Sequence, residues 1–167
     1  MTDLVAGQRL KLKRPELRFS IDCGNPQLLG SRFSAVTLFL SGDQASSVAP
    51  AYALGAAEKP SPFIEYDSGF TTSISLDRLP AEVTRVQAIV YVTGGAGTGT
   101  TFMDLSWIEV RGDDFKFRID LVSCGNATLH LVDAYRHDGG WRVLANGQGF
   151  NGGLGVIGSQ IGIHLDS

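Results

Sequence analysis

At 167 residues the chain has room for one domain with a sizeable core, residues 1–167, and its 21 glycines follow no fixed period, which excludes collagen-like and low-complexity chains. A net charge of −3 gives no field that would attract nucleic acid or an anionic membrane surface, so neither is expected as a partner. No apolar run approaches the ~20 residues that span a bilayer, and Met-Thr-Asp-Leu has neither the basic nor the apolar region of a leader. The expectation is a cytoplasmic chain without membrane insertion.

Taken in order, Arg9–Lys13 and, after Pro15, Leu17–Asp22 alternate apolar and polar residues with period two. They read as one half-buried strand pair with Arg9, Lys11, Lys13, Arg14 and Arg18 on its solvent side. Cys23–Arg32 is a loop by its glycines and proline, whereas Phe33–Ser41 is apolar on both faces and belongs inside a sheet. Gly42–Pro62 is a long connection of small residues and prolines, with one helical turn expected around Tyr52–Ala57. Phe63–Tyr66 and Thr71–Leu76 read as short strands, Pro80–Val83 as a tight turn, and Arg85–Val92 as a central strand.

Glycines crowd Gly94–Thr101, but a phosphate loop needs a helix behind it and usually a terminal lysine. The composition of Phe102–Val110 instead predicts a strand, followed by an alternating strand over Phe115–Leu121. Thr128–His137 and Trp141–Gly147 flank Asp138-Gly139-Gly140, whose glycines supply the positive φ of a hairpin turn. Leu154, Ile157 and Ile161 share one face of a short helix that is expected to pack across the end of the fold. About ten short strands with hardly a helical period predict an all-β, two-sheet antiparallel β-sandwich with a short C-terminal helical segment.

Cys23 and Cys124 each open a Cys-Gly-Asn tripeptide at the end of an alternating run, an echo that suggests two strand exits lying side by side. Two cysteines are too few for an all-cysteine zinc site or a disulfide framework, so free thiols are expected. His130, His137 and His164 lack metal-ligand spacing, and strict alternation puts His130 on the face opposite Asp133. There is no Gly-x-Ser-x-Gly elbow and no nucleophile–base arrangement, so no catalytic residue and no enzyme activity is expected. Trp107, Trp141 or Tyr91 would, if exposed, make an aromatic platform, and the alternative reading is a carbohydrate- or small-ligand-binding sandwich.

The stretch Ala134-Tyr135-Arg136-His137-Asp138-Gly139-Gly140-Trp141, followed by Gly147-Gln148-Gly149-Phe150-Asn151-Gly152-Gly153-Leu154, resembles the closing signature of the TerD, or tellurium-resistance, family of bacterial stress proteins. Leu4-Val5-Ala6-Gly7-Gln8 with Leu10 and Leu12 is similar to that family's opening strand. Leu79-Pro80-Ala81-Glu82-Val83 is similar to its central turn, and Phe63-Ile64-Glu65-Tyr66-Asp67 to an aromatic strand. The resemblance implies a non-enzymatic stress-response module acting through unidentified protein partners, such as other members of a stress-response complex, or through weak metal binding. A homodimer is open to it through an edge strand.

The resemblance also implies calcium as cofactor, held by carboxylates converging from loops at one end of the sandwich. Ser34-Ala35-Val36 stand where the family has paired aspartates, one acidic loop shrinks to Asp67-Ser68-Gly69, and another is replaced by Gly94–Thr101. Asp22, Asp67 and Asp104 remain as candidate metal ligands, so calcium is expected to be weakly held or lost.

Overall fold

The computed structural model describes residues 1–53, 61–67, 70–95 and 97–165, the side chain of Asp67 excepted. Its strands are β1 (Thr2–Leu4), β2 (Arg9–Lys11), β3 (Glu16–Cys23), β4 (Phe33–Ser41), β5 (Gln44–Ala45), β6 (Tyr52–Ala53) and β7 (Ile64–Asp67). They continue with β8 (Thr71–Ser75), β9 (Arg85–Val92), β10 (Trp107–Gly112), β11 (Phe115–Asp120), β12 (Thr128–His137), β13 (Gly140–Ala145) and β14 (Gly149–Phe150), and the helix α1 spans Leu154–Gln160. The first sheet runs β1-β11-β10-β3-β8-β7 and the second β2-β13-β12-β9-β4-β5, with β14 added to β12 and β6 to β4. Every pairing is antiparallel except β1 on β11.

Alternation decides what lies between the sheets. In β3 the residues Leu17, Phe19 and Ile21 are buried while Glu16, Arg18 and Asp22 are exposed, and β11 buries Phe115 and Phe117 in the same way. From the second sheet β9 and β12 add Val86, Ala88, Val90, Leu129 and Ala134, so both inner faces feed one apolar cluster. This is the expected two-sheet sandwich.

Four local expectations are corrected. β2 and β3 do not pair with each other: β2 lies on β13 in the second sheet and β3 between β10 and β8 in the first. A period-two stripe records which face is buried but not which strand covers it, and the Leu12–Pro15 link crosses from one sheet to the other. The five early basic residues are nonetheless exposed. Phe102–Leu105 is a 3-10 turn with buried Phe102 and Leu105, and only Trp107 onward is strand. Thr101 starts this turn with a capping box closed by Asp104, a signal that outweighs the apolar composition behind it. Tyr52–Ala53 is not helical but pairs with β4, while 54–60 lie outside the described residues.

The fourth correction concerns α1, which covers the outer face of the second sheet and not the end of the sandwich. Val36, Leu38, Leu40, Ile89 and Tyr91 point outward from β4 and β9 and meet Leu154, Ile157 and Ile161 in a second apolar cluster. That helix explains why β4 is apolar on both faces although only the two-residue strands β5 and β6 lie beyond it.

The β12–β13 hairpin closes at His137 opposite Gly140, with Asp138 at φ +50° and Gly139 at φ +77°. Positive φ at both central residues is the type I′ geometry that matches the strand twist. Inserting one residue after Gly139 should turn the buried Trp141, Val143 and Ala145 outward, lowering stability by at least about 3 kcal/mol. An unchanged melting temperature for that insertion would contradict this register.

Candidate functional site

The main polar feature of the second sheet grows from a bulge in β12. His130 stands opposite Ile89 and Val132 opposite Ala88, so Leu131 is an extra residue without a partner of its own on β9. Leu131 and Val132 both point into the core, and the alternation is displaced by one. His130 and Asp133, expected on opposite faces, therefore share the outer face. The backbone of the bulge is held from the far side, where His130 N–H donates to Gln148 O (2.9 Å), Gly147 N–H to His130 O (2.9 Å) and Asn146 N–H to Leu131 O (3.0 Å).

Asp133 is 1% exposed, and a carboxylate so placed needs a charge partner and hydrogen bonds. Arg85 and Gln87, two apart on the adjacent β9, supply them to Oδ2 at 2.5 and 3.3 Å, and Asn146 Nδ2 donates to Oδ1 at 3.3 Å. The Arg85 guanidinium also lies 5.2 Å from the centre of the Tyr135 ring, which fixes it from a second side. The floor is thus a completed ion pair.

His130 differs. It is 7% exposed, its ring packs 4.8 Å from that of Phe150, and its Nε2 is buried without a hydrogen-bond partner. Burial pushes the imidazole below its ordinary range, and the nearby Asp133 carboxylate opposes this only in part. Together with Arg85, Gln87, Asp133 and Asn146 it lines an open cleft of about 440 Å³. Leu40 and the α1-side residues Ile157 and Ile161 form apolar walls, with Asp43 and Gln160 also on the lining.

The histidine makes a pH prediction whose sign is fixed. Its pKa is lower folded than unfolded, so as pH falls below about 6.5 the unfolded state takes up the proton first and stability declines. One such group changes stability by at most about 1.4 kcal/mol per pH unit. Denaturant melts between pH 7 and 5 should show the decline, and His130→Gln should flatten it, with Asp133, Arg85 and Asp43 left in place as the other charges of the cleft. Identical pH profiles for the two proteins would contradict the assignment.

The expected calcium residues occupy a different place. Asp22 near the end of β3, Asp67 closing β7 opposite Thr71, and Asp104 in the turn before β10 all stand at the same end of the first sheet. The Asp22 carboxylate accepts the Cys23 N–H at 2.8 Å, Asp104 accepts the Thr101 N–H at 3.1 Å, and the side chain of Asp67 lies outside the described residues. Among the described residues, which leave out the Asp67 side chain, no group of three His, Cys, Asp or Glu side chains converges.

Cys23 is buried and Cys124 half-buried, both as free thiols, and burial pushes the Cys23 thiol up, away from reactive thiolate. Their two Cys-Gly-Asn segments flank the same 3-10 turn: Asn25 Nδ2 donates to Asp104 O and Met103 N–H to Cys124 O. The aromatic platform is not assembled. Trp141 and Tyr91 are buried, and the half-buried Trp107 carries the Arg118 guanidinium 3.9 Å above its ring. No helix among the described residues is long and apolar enough to cross a membrane.

Comparison with known proteins adds three findings. Two curated proteins match over 98 residues, each called tellurium resistance protein TerD: one from Serratia marcescens at 31% identity and one from an Alcaligenes species at 29%. Each match covers 54% of this chain and 51% of the relative, so the chain spans about half the length of the curated relatives it matches. Two crystal structures share the fold: a protein of unknown function (TM-score 0.66, 14% identity, 92% of this chain and 100% of that one), and a homologue of telluride resistance protein (TerD) from Streptomyces coelicolor (TM-score 0.64, 16% identity, 87% and 95%). The sequence model of the TerD domain matches residues 66–160, from the end of β7 to the end of α1, a stretch that holds Arg85, Gln87, His130, Asp133 and Asn146 together. By that match over more than half of its length, the chain belongs to the TerD family.

Proposed function

We propose that this chain is a non-enzymatic binding module of a tellurium-resistance-type stress response, working in the cytoplasm through protein partners, with metal binding weak or lost. The observation that carries the proposal is the TerD match over residues 66–160, supported by curated relatives named for tellurium resistance. Weak metal binding is supported by Asp22 and Asp104, whose carboxylates already accept backbone N–H groups. In a cell whose own copy is deleted, tellurite tolerance should fall and be restored by this chain, and crosslinking in tellurite-stressed cells should join it to a defined protein. Unchanged tolerance together with no crosslinked partner would overturn the proposal.

Calcium gives a separate measurement. A site with few charged ligands falls toward millimolar affinity, and at a concentration equal to its dissociation constant a ligand adds only about 0.4 kcal/mol. The melting temperature should therefore rise by less than about 2 °C in 1 mM calcium. A rise above about 5 °C that Asp22→Asn abolishes would show a strong site at that end of the first sheet.

A further inference from the structure

Resting on the reading that the chain works through protein partners, we propose that β2, the open edge of the second sheet, takes up an extended partner segment of alternating acidic and apolar residues as an added antiparallel strand. The backbone of β2 is set for this. Leu12 N–H donates to Trp141 O (3.0 Å) and Gln8 O accepts from Ala145 N–H (2.9 Å), so the even-numbered residues turn toward β13. Alternation turns the N–H and C=O of Arg9 and Lys11 the other way, where no strand pairs with them among the described residues. Both residues are exposed.

The side chains specify the segment. Leu10 packs on the core beside Val143, so Arg9 and Lys11 project from the outer face, where the Arg9 guanidinium lies 5.8 Å from the centre of the Tyr135 ring and Arg142 stands directly across from Lys11. Although the chain has a net charge of −3, none of Arg9, Lys11 and Arg142 joins an ion pair among the described residues. Acids of the surrounding strands and turns pair with other cations: Asp133 with Arg85, Asp138 with His137, Asp3 with Lys116, Asp113 with Arg14 and Asp114 with Lys13. On the inner side Leu10 and Leu12 are only partly buried, and an apolar residue beside them would cover the rest. In an antiparallel pair, residues whose N–H and C=O face the partner strand stand directly opposite one another. Glutamates of the added strand therefore fall opposite Arg9 and Lys11, with Cβ atoms about 4.5–5.5 Å apart, and their own N–H groups point at β2. The apolar residues between them go to the inner side. The same charges exclude a second copy, since β2 laid against β2 would set cations against cations.

A short capped peptide of alternating Glu and Val, titrated into the full chain and followed by NMR, tests this. The amides of Arg9 and Lys11 should shift saturably. Methylating the Glu nitrogens, which face β2, should abolish the shifts, whereas methylating the Val nitrogens, on the far edge, should leave them. Arg9→Glu with Lys11→Glu should weaken binding at least about tenfold, and that variant should instead take up the peptide in which Lys replaces Glu, which a misfolded chain would not do. The proposal is overturned if the peptide leaves the β2 amides unmoved or if the peptide methylated at Glu binds as well as its parent. It is equally overturned if a single-stranded oligothymidylate or a vesicle of anionic lipid binds at β2 as tightly as the peptide, or if those amides shift with protein concentration alone, as they would on self-pairing. Crosslinking in stressed cells reads whether a protein partner exists at all. A crosslinked partner beside an inert β2 therefore sinks this proposal alone, while peptide uptake with unchanged tolerance and no crosslinked partner counts against the stress-response reading alone.

Discussion

Arg85→Leu is expected to destabilise the domain by about 3–5 kcal/mol, because it strands the carboxylate of Asp133, 1% exposed, without its charge partner. For a chain of this size that is a fall of roughly 6–20 °C in melting temperature. Asp133→Leu should cost less, since the guanidinium left behind is one-third exposed and can reach water. Arg85→Leu with Asp133→Leu should recover most of the loss, as replacing both members of a buried pair with apolar groups is often close to neutral. Urea melts of the three variants measure this directly. Equal losses for the two single variants, or a double variant as unstable as the sum of both, would mean that the pair is not coupled as the geometry requires.

The strands were legible wherever one face of a sheet is buried and the other is wet. β3, β11 and β13 alternate in sequence and alternate in burial, and the Asp138-Gly139 turn is written in residues that tolerate positive φ. Which strands pair is not written in the same way, and β2 and β3, neighbours in the chain, went to different sheets. The apolar outer face of β4 did signal a cover, but period alone does not distinguish a second sheet from a helix lying on the first.

The candidate site was hidden for a sharper reason. Alternation assigns His130 and Asp133 to opposite faces, and a single extra residue at Leu131 reverses that assignment for everything on one side of it. A signal was present in retrospect, since an aspartate inside the otherwise apolar run from Leu129 to Ala134 must find a cation, and Arg85 and Gln87 stand two apart on the strand predicted to be central. The aspartates at the other end show the converse. Asp22, Asp67 and Asp104 do come to one end of the first sheet, yet Asp22 and Asp104 turn their carboxylates onto neighbouring backbone N–H groups, a local hydrogen bond that sequence spacing does not reveal.

Ile157→Ala is expected to cost about 2–5 kcal/mol, or roughly 4–20 °C in melting temperature, and to expose the outer face of the second sheet. α1 has little stability of its own: it spans seven residues, lacks a side-chain cap, and carries Gly155 and Gly158, each costing about 1 kcal/mol relative to alanine. It is held by Leu154, Ile157 and Ile161 against Val36, Leu38, Leu40, Ile89 and Tyr91, so shortening Ile157, 3% exposed, weakens the whole attachment. Binding of an apolar dye should rise with the loss, whereas Val156→Ala, at a position 51% exposed, should leave both readings within about 0.5 kcal/mol of the parent. Gly158→Ala decides between propensity and packing by its sign. Helix propensity alone would make it stabilising by about 1 kcal/mol. A Cβ there would lie 2.8 Å from the Ile163 carbonyl oxygen, where the chain folds back and Ile163 N–H donates to Gly158 O at 2.9 Å, and backbone cannot yield as a flexible side chain would. Destabilisation is therefore expected. A more stable Gly158→Ala protein would mean that the segment after α1 does not return against the helix and that the wall of the cleft is looser than described.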